Sequence, residues 1–530
     1  MVFFLVTCIL IIVLFKTNSY EDDAMSDIAE NNNEINTDKL TAFDDKNFFK
    51  NGLGDRLATI RIKKVVLDNF KSVEHGEIVF NCGKQFIPYG TSSDILGIYG
   101  QNGSGKTSLI EALYILKGLM MGYSVPYVYA DCISVDKKCA NLLFVFDMQY
   151  QNGMIRELEY LFSMDKIKLT EEQIQDRYKD APESIKRPLE EYRVRIFNEK
   201  IRLATKFENG KSIMQTIIDT SADDVPFSPA TKLTQFIGNE KKRNIDLEIS
   251  KKMASEKSRS FVFSVETFKI FYGSGLYSEF FEVLVELRFF AKYYFFVVDT
   301  KSSGFIRLNF CLPIYTRSGL FEFDVRQPET LPDNGFYDMI MQCTKGISDV
   351  LGQLVPGLSI TFKTLSETVM ENNTPGKVVM LMANRNGIEL PLRDESDGVR
   401  KIISILSLII AVYNDRSLTL AIDEFDAGIF EYLLGELLQT IEESGKGQFI
   451  FTSHNLRPLE VINKKFLIFT TTNPKNRYFR LKSIGKTNNL RDSYFREIVL
   501  GEQEEELYNK TKRYKIAAAL KKACDKEENA

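Results

Sequence analysis

The most informative stretch of this sequence is Gly100-Gln101-Asn102-Gly103-Ser104-Gly105-Lys106-Thr107. It follows a short apolar strand that ends at Tyr99, precedes a helical pattern from Ser108, and matches the spacing G-x-x-x-x-G-K-[ST]. Glycines at these positions let backbone N–H groups turn inward around phosphate oxygens, and the helix N-terminus adds positive potential. Lys106 is placed to reach β- and γ-phosphates, and Thr107 to offer its hydroxyl to Mg²⁺. The predicted nucleotide contacts are Gly100, Asn102, Gly103, Ser104, Gly105, Lys106, Thr107 and Ser108.

A second apolar strand, 418–422, ends in the two carboxylates Asp423 and Glu424. Asp423 suits a place around Mg²⁺, and Glu424 suits polarising an attacking water. Taken alone, an apolar strand followed by Asp-Glu is commonplace and often has only a structural meaning. Beside a phosphate-binding loop it is the expected partner, because both would lie at the same edge of one sheet.

A third apolar strand, Phe449–Ser453, ends in His454. Histidine offers a neutral or cationic donor that can sense a γ-phosphate, although a single histidine at a strand end is more often structural. The interval from Glu424 to His454 leaves room for one helix (429–443) and a return strand, so three strand-end motifs converge on one edge. We therefore predict catalytic roles for Lys106, Glu424 and His454.

The composition excludes several classes of function. The 68 basic and 72 acidic residues give a net charge of −4, so any binding of nucleic acid or anionic membrane needs a local patch. Two histidines, His75 and His454, cannot form a His-rich metal cluster or a nuclease site that needs several histidines. Seven cysteines without a Cys-x-x-Cys pattern argue against a disulfide framework and favour a reduced, cytoplasmic protein.

The pattern of apolar residues divides the chain into five parts. Residues 1–24 are apolar at the start and are either a membrane anchor or an artefact of start-site choice, with Met25 as the natural start. Residues 25–58 form a polar, acidic leader, and 59–165 contain alternating strands, the phosphate loop and a hairpin with a Gln151-Asn152-Gly153 turn. Residues 166–345 are charged and favour helix, including an amphipathic helix at 279–298 whose polar face carries Glu279, Glu282 and Glu286. Residues 346–530 contain three further strand patterns, at 358–362, 378–382 and 388–392, and the two later strand-end motifs.

Four further segments give the sequence a resemblance to ABC-type ATPases of the RecF/SMC/OLD-like branch. Residues 394–401 (DESDGVRK) resemble the signature segment, 426–428 (DAG) the D-loop, 452–455 (TSHN) the switch histidine, and 67–72 (LDNFKS) the start of RecF and SMC heads. The resemblance covers 59–165 and 346–510, and it suggests bacterial AAA-type ATPases, many of them associated with phage defence. It implies an α/β P-loop NTPase: an ABC-type ATPase head with an antiparallel β-subdomain and an inserted helical lobe.

The resemblance also implies a homodimer in which ATP and Mg²⁺ lie between two heads. Ser396 and Gly398 of one copy would then close over the γ-phosphate held by the other. The physical logic agrees, because Gly398 permits close approach and the helix from Val399 points its N-terminus at the anion. Ser396 is equally suited to be a plain helix N-cap. Gln149 is a weak candidate for the Q-loop residue near Mg²⁺, slightly ahead of Gln151.

Departures from the family narrow the expected function. Only 76 residues follow His454, too few for a Toprim nuclease domain together with the remaining ATPase elements, and no zinc-hook motif is present. The predicted function is an ATP-hydrolysing switch in DNA-related or anti-phage work with a separately encoded nuclease or toxin. Alternatives are an ATPase subunit of a membrane transporter, or a nucleotide-binding scaffold with little turnover. A basic cluster in the helical lobe could meet nucleic acid, although acidic neighbours favour a solvated face: Lys241, Lys242, Arg243, Lys251, Lys252, Lys257 and Arg259.

Overall fold

The computed structural model describes residues 58–80, 94–134, 136–178, 191–206, 213–298, 311–316, 319–370, 373–481, 490–492, 494, 496, 505–508 and 512–524. The predicted apolar segment 1–24 and nearly all of the acidic leader 25–58 lie outside these residues. None of the described helices has both the length and the apolar character that crossing a bilayer requires.

The described residues form the following strands and helices. The strands are β1 (Thr59–Phe70), β2 (Val73–Val79), β3 (Asp94–Tyr99), β4 (Cys139–Gln149), β5 (Ile155–Lys168), β6 (Tyr192–Lys206), β7 (Gln215–Asp219), β8 (Phe295–Val298), β9 (Cys311–Thr316), β10 (Gly319–Asp324), β11 (Glu329–Pro332), β12 (Leu358–Val369), β13 (Pro375–Arg385), β14 (Ile388–Pro391), β15 (Thr419–Ile422), β16 (Gln448–Thr452), β17 (Leu467–Thr470) and β18 (Tyr478–Phe479). The helices are α1 (Lys106–Met120), α2 (Glu171–Tyr178), α3 (Ala230–Ile237), α4 (Lys241–Glu256), α5 (Val265–Gly273), α6 (Glu279–Tyr293), α7 (Gly335–Leu354), α8 (Asp397–Asn414), α9 (Glu431–Ser444), α10 (Pro458–Val461) and α11 (Arg513–Cys524).

A mainly parallel sheet forms the centre of the molecule, with the strand order β18-β17-β3-β16-β15-β8. Neighbouring strands from β17 to β8 are parallel, and only β18 is antiparallel to its neighbour. Strands β8, β15 and β16 are buried along their whole length, as expected where both faces of a parallel sheet are covered. Alternate residues of these strands face a core that includes α1 on one side and a core that includes α8 and α9 on the other.

An antiparallel sheet with the order β2-β1-β4-β5-β6-β7 packs beside the central sheet and shares a core with α1 and α3 to α6. The predicted pairing of β1 with β2 and the hairpin of β4 and β5 are confirmed. A smaller unit consists of the β9–β10 hairpin, the sheet β11-β13-β12 with β14, and α7. These elements confirm the predicted α/β class with an antiparallel subdomain and the three predicted strands after residue 346.

The prediction that residues 166–345 are mostly helical is wrong for six strands, β6 to β11, of which β6 and β7 extend the antiparallel sheet. Several charged residues of β6 pair across that sheet, as Arg202 does with Glu159, whereas Glu199 is only 1% exposed. Apolar residues of β6, such as Val194, are buried. The high density of charged residues in β6 favours a helix, but the alternation of charged and apolar residues correctly indicates a strand.

The helix predicted at 279–298 ends earlier and has a narrower polar face than expected. Helix α6 ends at Tyr293, and the β-branched and aromatic residues that follow form β8 in the central sheet. Glu286 is only 3% exposed, so it does not lie on a solvated face, and it accepts a hydrogen bond of 2.7 Å from the Tyr150 hydroxyl. Burial raises the pKa of Glu286 to about 7.

Arg61 of β1 connects the two large sheets at the amino ends of the parallel strands. Its guanidinium is fully buried and donates to the main-chain oxygens of Leu418 and Lys446, each at 2.9 Å, and to that of Arg416. Asp94 at the start of β3 lies 3.7 Å from the same group. A buried guanidinium with several acceptors fixes the position of the antiparallel sheet against the central one.

Candidate active site at the carboxyl edge of the parallel sheet

The parallel strands bring the three predicted motifs to one edge of the central sheet. Strand β3 runs directly into the loop 100–105, while β15 ends before Asp423 and β16 ends before Ser453. In the sheet, Ile422 pairs with Phe451 and Thr452 pairs with Ile98, so the three strands end side by side. The edge therefore collects the phosphate-binding loop, the two carboxylates and the histidine, as the sequence predicted.

The loop has the backbone geometry of a phosphate cradle. Gly103 and Gly105 have φ of +76° and +94°, values that residues other than glycine rarely adopt. Gly105 precedes α1, and this helix start has no side-chain cap, so its N–H groups are available for an anion. The Lys106 ammonium donates to the main-chain oxygens of Gly100 (2.8 Å) and Gln101 (3.0 Å), which holds it over the loop.

Lys106 is a buried lysine whose pKa is set by two opposing effects, burial and nearby negative charge. Burial lowers the pKa of its ammonium to about 8, while the negative charges of Asp423, Glu424 and Asp426 act in the opposite direction. The side chains of Asn102 and Thr107 are exposed and half-buried, respectively, whereas that of Ser108 is buried. The nucleotide contacts predicted for these three residues stay predictions.

The carboxylates at the end of β15 are held by Thr452 at the end of β16. The Thr452 hydroxyl donates to Asp423, which is 2% exposed, and accepts the N–H of Glu424 at 2.8 Å. Glu424 has a φ of +46°, a left-handed conformation that is costly for a residue with a side chain. The Lys401 ammonium donates to the Glu424 main-chain oxygen at 3.1 Å, so both the main-chain N–H and the main-chain oxygen of this strained residue are hydrogen-bonded.

The turn after Glu424 fixes the backbone around His454. One carboxylate oxygen of Asp426 accepts the N–H groups of His454 (3.1 Å) and Asn455 (2.9 Å). Partial burial and the positive charge of Lys106 lower the pKa of the His454 imidazole, although Asp426, Glu424 and Asp423 oppose them. His454 is therefore neutral at physiological pH and retains both a donor and an acceptor nitrogen.

The signature segment lies against the same turn. The Ser396 side chain caps α8 by accepting the Val399 N–H at 3.4 Å, which confirms its reading as an N-cap. A Cβ placed on Gly398 would lie 3.1 Å from the main-chain oxygen of Gly428, so glycine allows α8 to approach the D-loop closely. Ser396 itself is exposed. Contact of Ser396 and Gly398 with a nucleotide in a second copy stays a prediction.

Comparison with known families agrees with this geometry. The model of the family described as "AAA domain, putative AbiEii toxin, Type IV TA system" matches residues 95–298 and 320–460, and a second AAA domain model matches 64–124. The first match spans more than half of the chain and contains the phosphate loop, the paired carboxylates and His454.

The chain belongs to this AAA domain family.

Solved structures similar to this AAA domain protein include SMC heads and RecF. The SMC head bound to the C-terminal winged-helix domain of ScpA has 14% identity and a TM-score of 0.35, covering 79% of this chain and 97% of its own. The SMC head from Thermotoga maritima has 14% identity and a TM-score of 0.32, covering 80% and 100%. The recombination mediator RecF has 11% identity and a TM-score of 0.33, covering 81% and 100%. No curated protein matches the sequence.

The donor set of the AAA domain at this edge fits Mg²⁺ bound together with a nucleotide. Thr107 in the first turn of α1 offers a hydroxyl, and the buried Asp423 offers a carboxylate. Mg²⁺ prefers such oxygen ligands and usually takes one or two of them from the protein, with phosphate oxygens and waters completing the shell. In the described part of the chain, no three His, Cys, Asp or Glu side chains form a group that could hold a metal without a nucleotide.

The weak assignment of Gln149 to the Mg²⁺ site is wrong, because this residue lies at the opposite edge. Gln149 pairs with Thr59, and two residues further along β1 Arg61 binds the main chain at the start of β15. The other end of β4, where Asn141 pairs with Asp68, lies about 27 Å from Gln149 at roughly 3.4 Å per residue. The interval in the sequence was suitable, but the direction of β4 places Gln149 at the amino edge.

The C-terminal strands hold the phosphate loop in a way that no sequence motif indicated. The Thr470 hydroxyl donates to the Tyr99 main-chain oxygen at 3.2 Å and bonds the Ser104 hydroxyl, so Ser104 is engaged inside the protein. The Tyr478 hydroxyl donates to the Gly105 main-chain oxygen at 2.6 Å. These residues lie more than 350 positions from the loop, and only the order β18-β17-β3 in the sheet brings them to it.

The basic cluster of the insert is partly used for internal contacts. Arg243 donates to the main-chain oxygens of Ile237 and Gly273, and Lys251 donates to that of Ala222 at 2.6 Å. Arg259 donates to the Ser124 hydroxyl at 2.9 Å. Because three of the seven cations hold neighbouring loops, the cluster does not form one free face for nucleic acid, and the reading as a structural, solvated surface is favoured.

Proposed function

We propose that this AAA domain protein is an ATPase that binds ATP with Mg²⁺ and hydrolyses it at the carboxyl edge of the parallel sheet. The observation that carries the proposal is the convergence of the Lys106 loop, the Asp423–Glu424 pair and His454 on that edge. Each group has a suitable state there: a buried lysine, a buried Asp423 carboxylate next to Glu424, and a neutral imidazole.

The residues of the chain divide the chemical work among them. The loop N–H groups and Lys106 hold the phosphate oxygens, and Lys106 places positive charge where negative charge grows during phosphoryl transfer. Bound Mg²⁺ would neutralise phosphate charge between Thr107 and Asp423. Glu424 orients a water and accepts its proton, because its backbone is held by Thr452 and Lys401. His454 donates a hydrogen bond to the γ-phosphate from a backbone fixed by Asp426.

The proposal extends to a homodimer in which ATP closes two heads on each other. Support comes from the exposed Ser396 at the start of α8, because the N-terminus of this 18-residue helix favours an anion from a second copy. Closure and reopening would drive a partner in DNA-related or anti-phage work in the cytoplasm. The description of the matched family names a putative AbiEii toxin of a type IV toxin–antitoxin system, which supports work in such a system for this chain. A separately encoded nuclease or toxin as the partner is part of the proposal.

The molar mass in solution tests the proposed closure. The Glu424→Gln variant keeps the phosphate loop and slows hydrolysis, so with ATP and Mg²⁺ it should double its mass in light scattering. Addition of Ser396→Arg, which places a bulky cation at the start of α8, should keep this variant monomeric while labelled ATP still binds. A monomer in both cases at saturating ATP would contradict the dimeric arrangement.

A further inference from the structure

A buried lysine on α8, the helix that follows the signature segment, contacts the turn from Asp423 to Gly428 of the same chain, which carries the hydrolytic residue Glu424. Lys401 is the fifth residue of α8, three residues after Gly398, and is 9% exposed. Residues three apart on a helix lie on the same face, so Gly398 and Lys401 both face the segment from Glu424 to Gly428. We infer that Lys401 is a positioning residue that makes hydrolysis at the Glu424 of one chain depend on the state of its own signature helix. The inference rests on the proposed function.

The contact of Lys401 is with the main chain of Glu424 rather than with its side chain. The ammonium donates to the Glu424 main-chain oxygen at 3.1 Å, while the Glu424 N–H is held by Thr452 at 2.8 Å. Because Glu424 has a φ of +46°, its backbone would relax towards negative φ without such restraints. Lys401 therefore helps to determine the direction in which the Glu424 carboxylate points.

The negative charges that compensate Lys401 lie on this turn. Taking an ammonium out of water is costly unless it is paired, and burial indeed lowers the pKa of Lys401. Asp426, Glu424 and Asp423 oppose that lowering, in this order of strength. All three belong to the turn that carries the hydrolytic residues, so a movement of α8 away from the turn would leave a buried cation without its partners.

The main chain provides a second contact between the same two segments. Gly398 is so close to Gly428 that a Cβ on Gly398 would lie 3.1 Å from the Gly428 main-chain oxygen. Helix α8 therefore contacts the turn through its closely packed backbone at Gly398 and is hydrogen-bonded to it through the Lys401 ammonium. A nucleotide of a second copy would lie at the exposed N-terminus of α8. A displacement of α8 caused by that nucleotide would shift Glu424 through these contacts.

This coupling has a kinetic consequence. In the proposed dimer, ATP held by one copy contacts α8 of the other, and Lys401 transmits that contact to the other copy's Glu424. Each site then hydrolyses fastest when the opposite site is filled, and the rate rises cooperatively with ATP concentration, with a Hill coefficient of at most about 2 for two sites. A displacement of about 1 Å at a hydrolytic group is enough to cost about 100-fold in rate.

The experiment compares Lys401→Met with the wild-type chain. Methionine has a similar length and is apolar, so it fills the buried space without the ammonium. We expect labelled ATP to bind with unchanged Kd, kcat to fall by about 10- to 100-fold, and the Hill coefficient to approach 1. Lys401→Arg retains the charge and a donor and should recover most of kcat. Lys117→Met removes another buried lysine, in the last turn of α1 and about 16 Å along the helix from Lys106, and should leave kcat and the Hill coefficient unchanged.

The outcomes separate the inference from the function on which it rests. If the wild-type chain hydrolyses ATP and Lys401→Met has the same kcat and Hill coefficient, the inference is overturned and the proposed ATPase stands. If Lys401→Met does not fold, the arginine variant decides: a folded arginine variant with wild-type Kd and cooperative turnover supports the inference, and one with turnover that is no longer cooperative overturns it. A wild-type chain that binds ATP but does not hydrolyse it overturns the proposed function itself.

Discussion

Replacement of Arg61 by methionine should destabilise the protein more than the loss of any ion pair on its surface. Methionine fills much of the same space but removes the guanidinium donor from the main-chain oxygens of Arg416, Leu418 and Lys446, of which that of Leu418 still accepts the Gln448 N–H. It also leaves Asp94 buried beside an apolar side chain. Both effects act where the antiparallel sheet meets the parallel one.

The magnitude follows from the number of bonds lost. Removing one partner of a buried charge pair costs about 3–5 kcal/mol, since the remaining polar groups keep their desolvation penalty. Burial already raises the pKa of Asp94, and Arg61 acts against that rise. A carboxyl group whose folded pKa is raised stabilises the fold most at low pH, and this contribution is lost as the pH rises through the folded pKa. Without Arg61 that pKa rises further, so the variant should lose more stability at pH 8 than at pH 5.

Urea unfolding followed by circular dichroism measures this loss, since the chain has no tryptophan for fluorescence. Arg195→Met is the matched control, because it breaks a partly exposed pair with Asp165 on the antiparallel sheet and should cost no more than about 1 kcal/mol. Equal unfolding midpoints for the two variants, or a loss for Arg61→Met that does not change between pH 5 and pH 8, would refute this account of the sheet junction.

Three further predictions concern the phosphate loop. Thr470→Val removes the hydroxyl that bonds Ser104 and should weaken ATP binding by about 5- to 30-fold, as the loss of about 1–2 kcal/mol implies, measured by titration with labelled ATP. Tyr478→Phe removes the hydrogen bond to the Gly105 main-chain oxygen and should weaken binding by about 5-fold, with little change in thermal stability. Because burial lowers the pKa of Lys106 to about 8, its charge is lost above that pH in the free protein. The Kd for ATP should therefore rise from pH 7 to pH 9.5, and a Kd that stays constant over this range would contradict the assignment.

Much of the fold was predictable because local pattern and tertiary environment agree. The parallel strands are short, uninterrupted apolar runs that end in polar residues. The loop after Tyr99 has the glycine spacing that a phosphate-binding loop requires. The carboxyl ends of such strands meet at one edge, so the sequence alone predicts that Asp423 and His454 lie beside the loop.

The unpredicted features depend on contacts distant in sequence or on strand direction. Gln149 has a suitable spacing, but β4 carries it to the amino edge. The sequence of β6 predicts helix because its charges are visible in the sequence, while its cross-strand partners are not. Thr470 and Lys401 carry no distinctive motif, because a threonine or a lysine acquires its function here only from the oxygen atom that the fold places next to it.

Steady-state phosphate release tests the central claim most directly. The wild-type chain with ATP and Mg²⁺ should release phosphate, and Lys106→Ala should neither bind nor hydrolyse ATP. Glu424→Gln should still bind ATP, but its rate of phosphate release should fall by about 100-fold or more. Glu431→Gln, at the exposed start of α9, is the matched control and should retain the wild-type rate. Phosphate release by Lys106→Ala and Glu424→Gln at the rate of the Glu431→Gln control would contradict hydrolysis at this edge of the sheet.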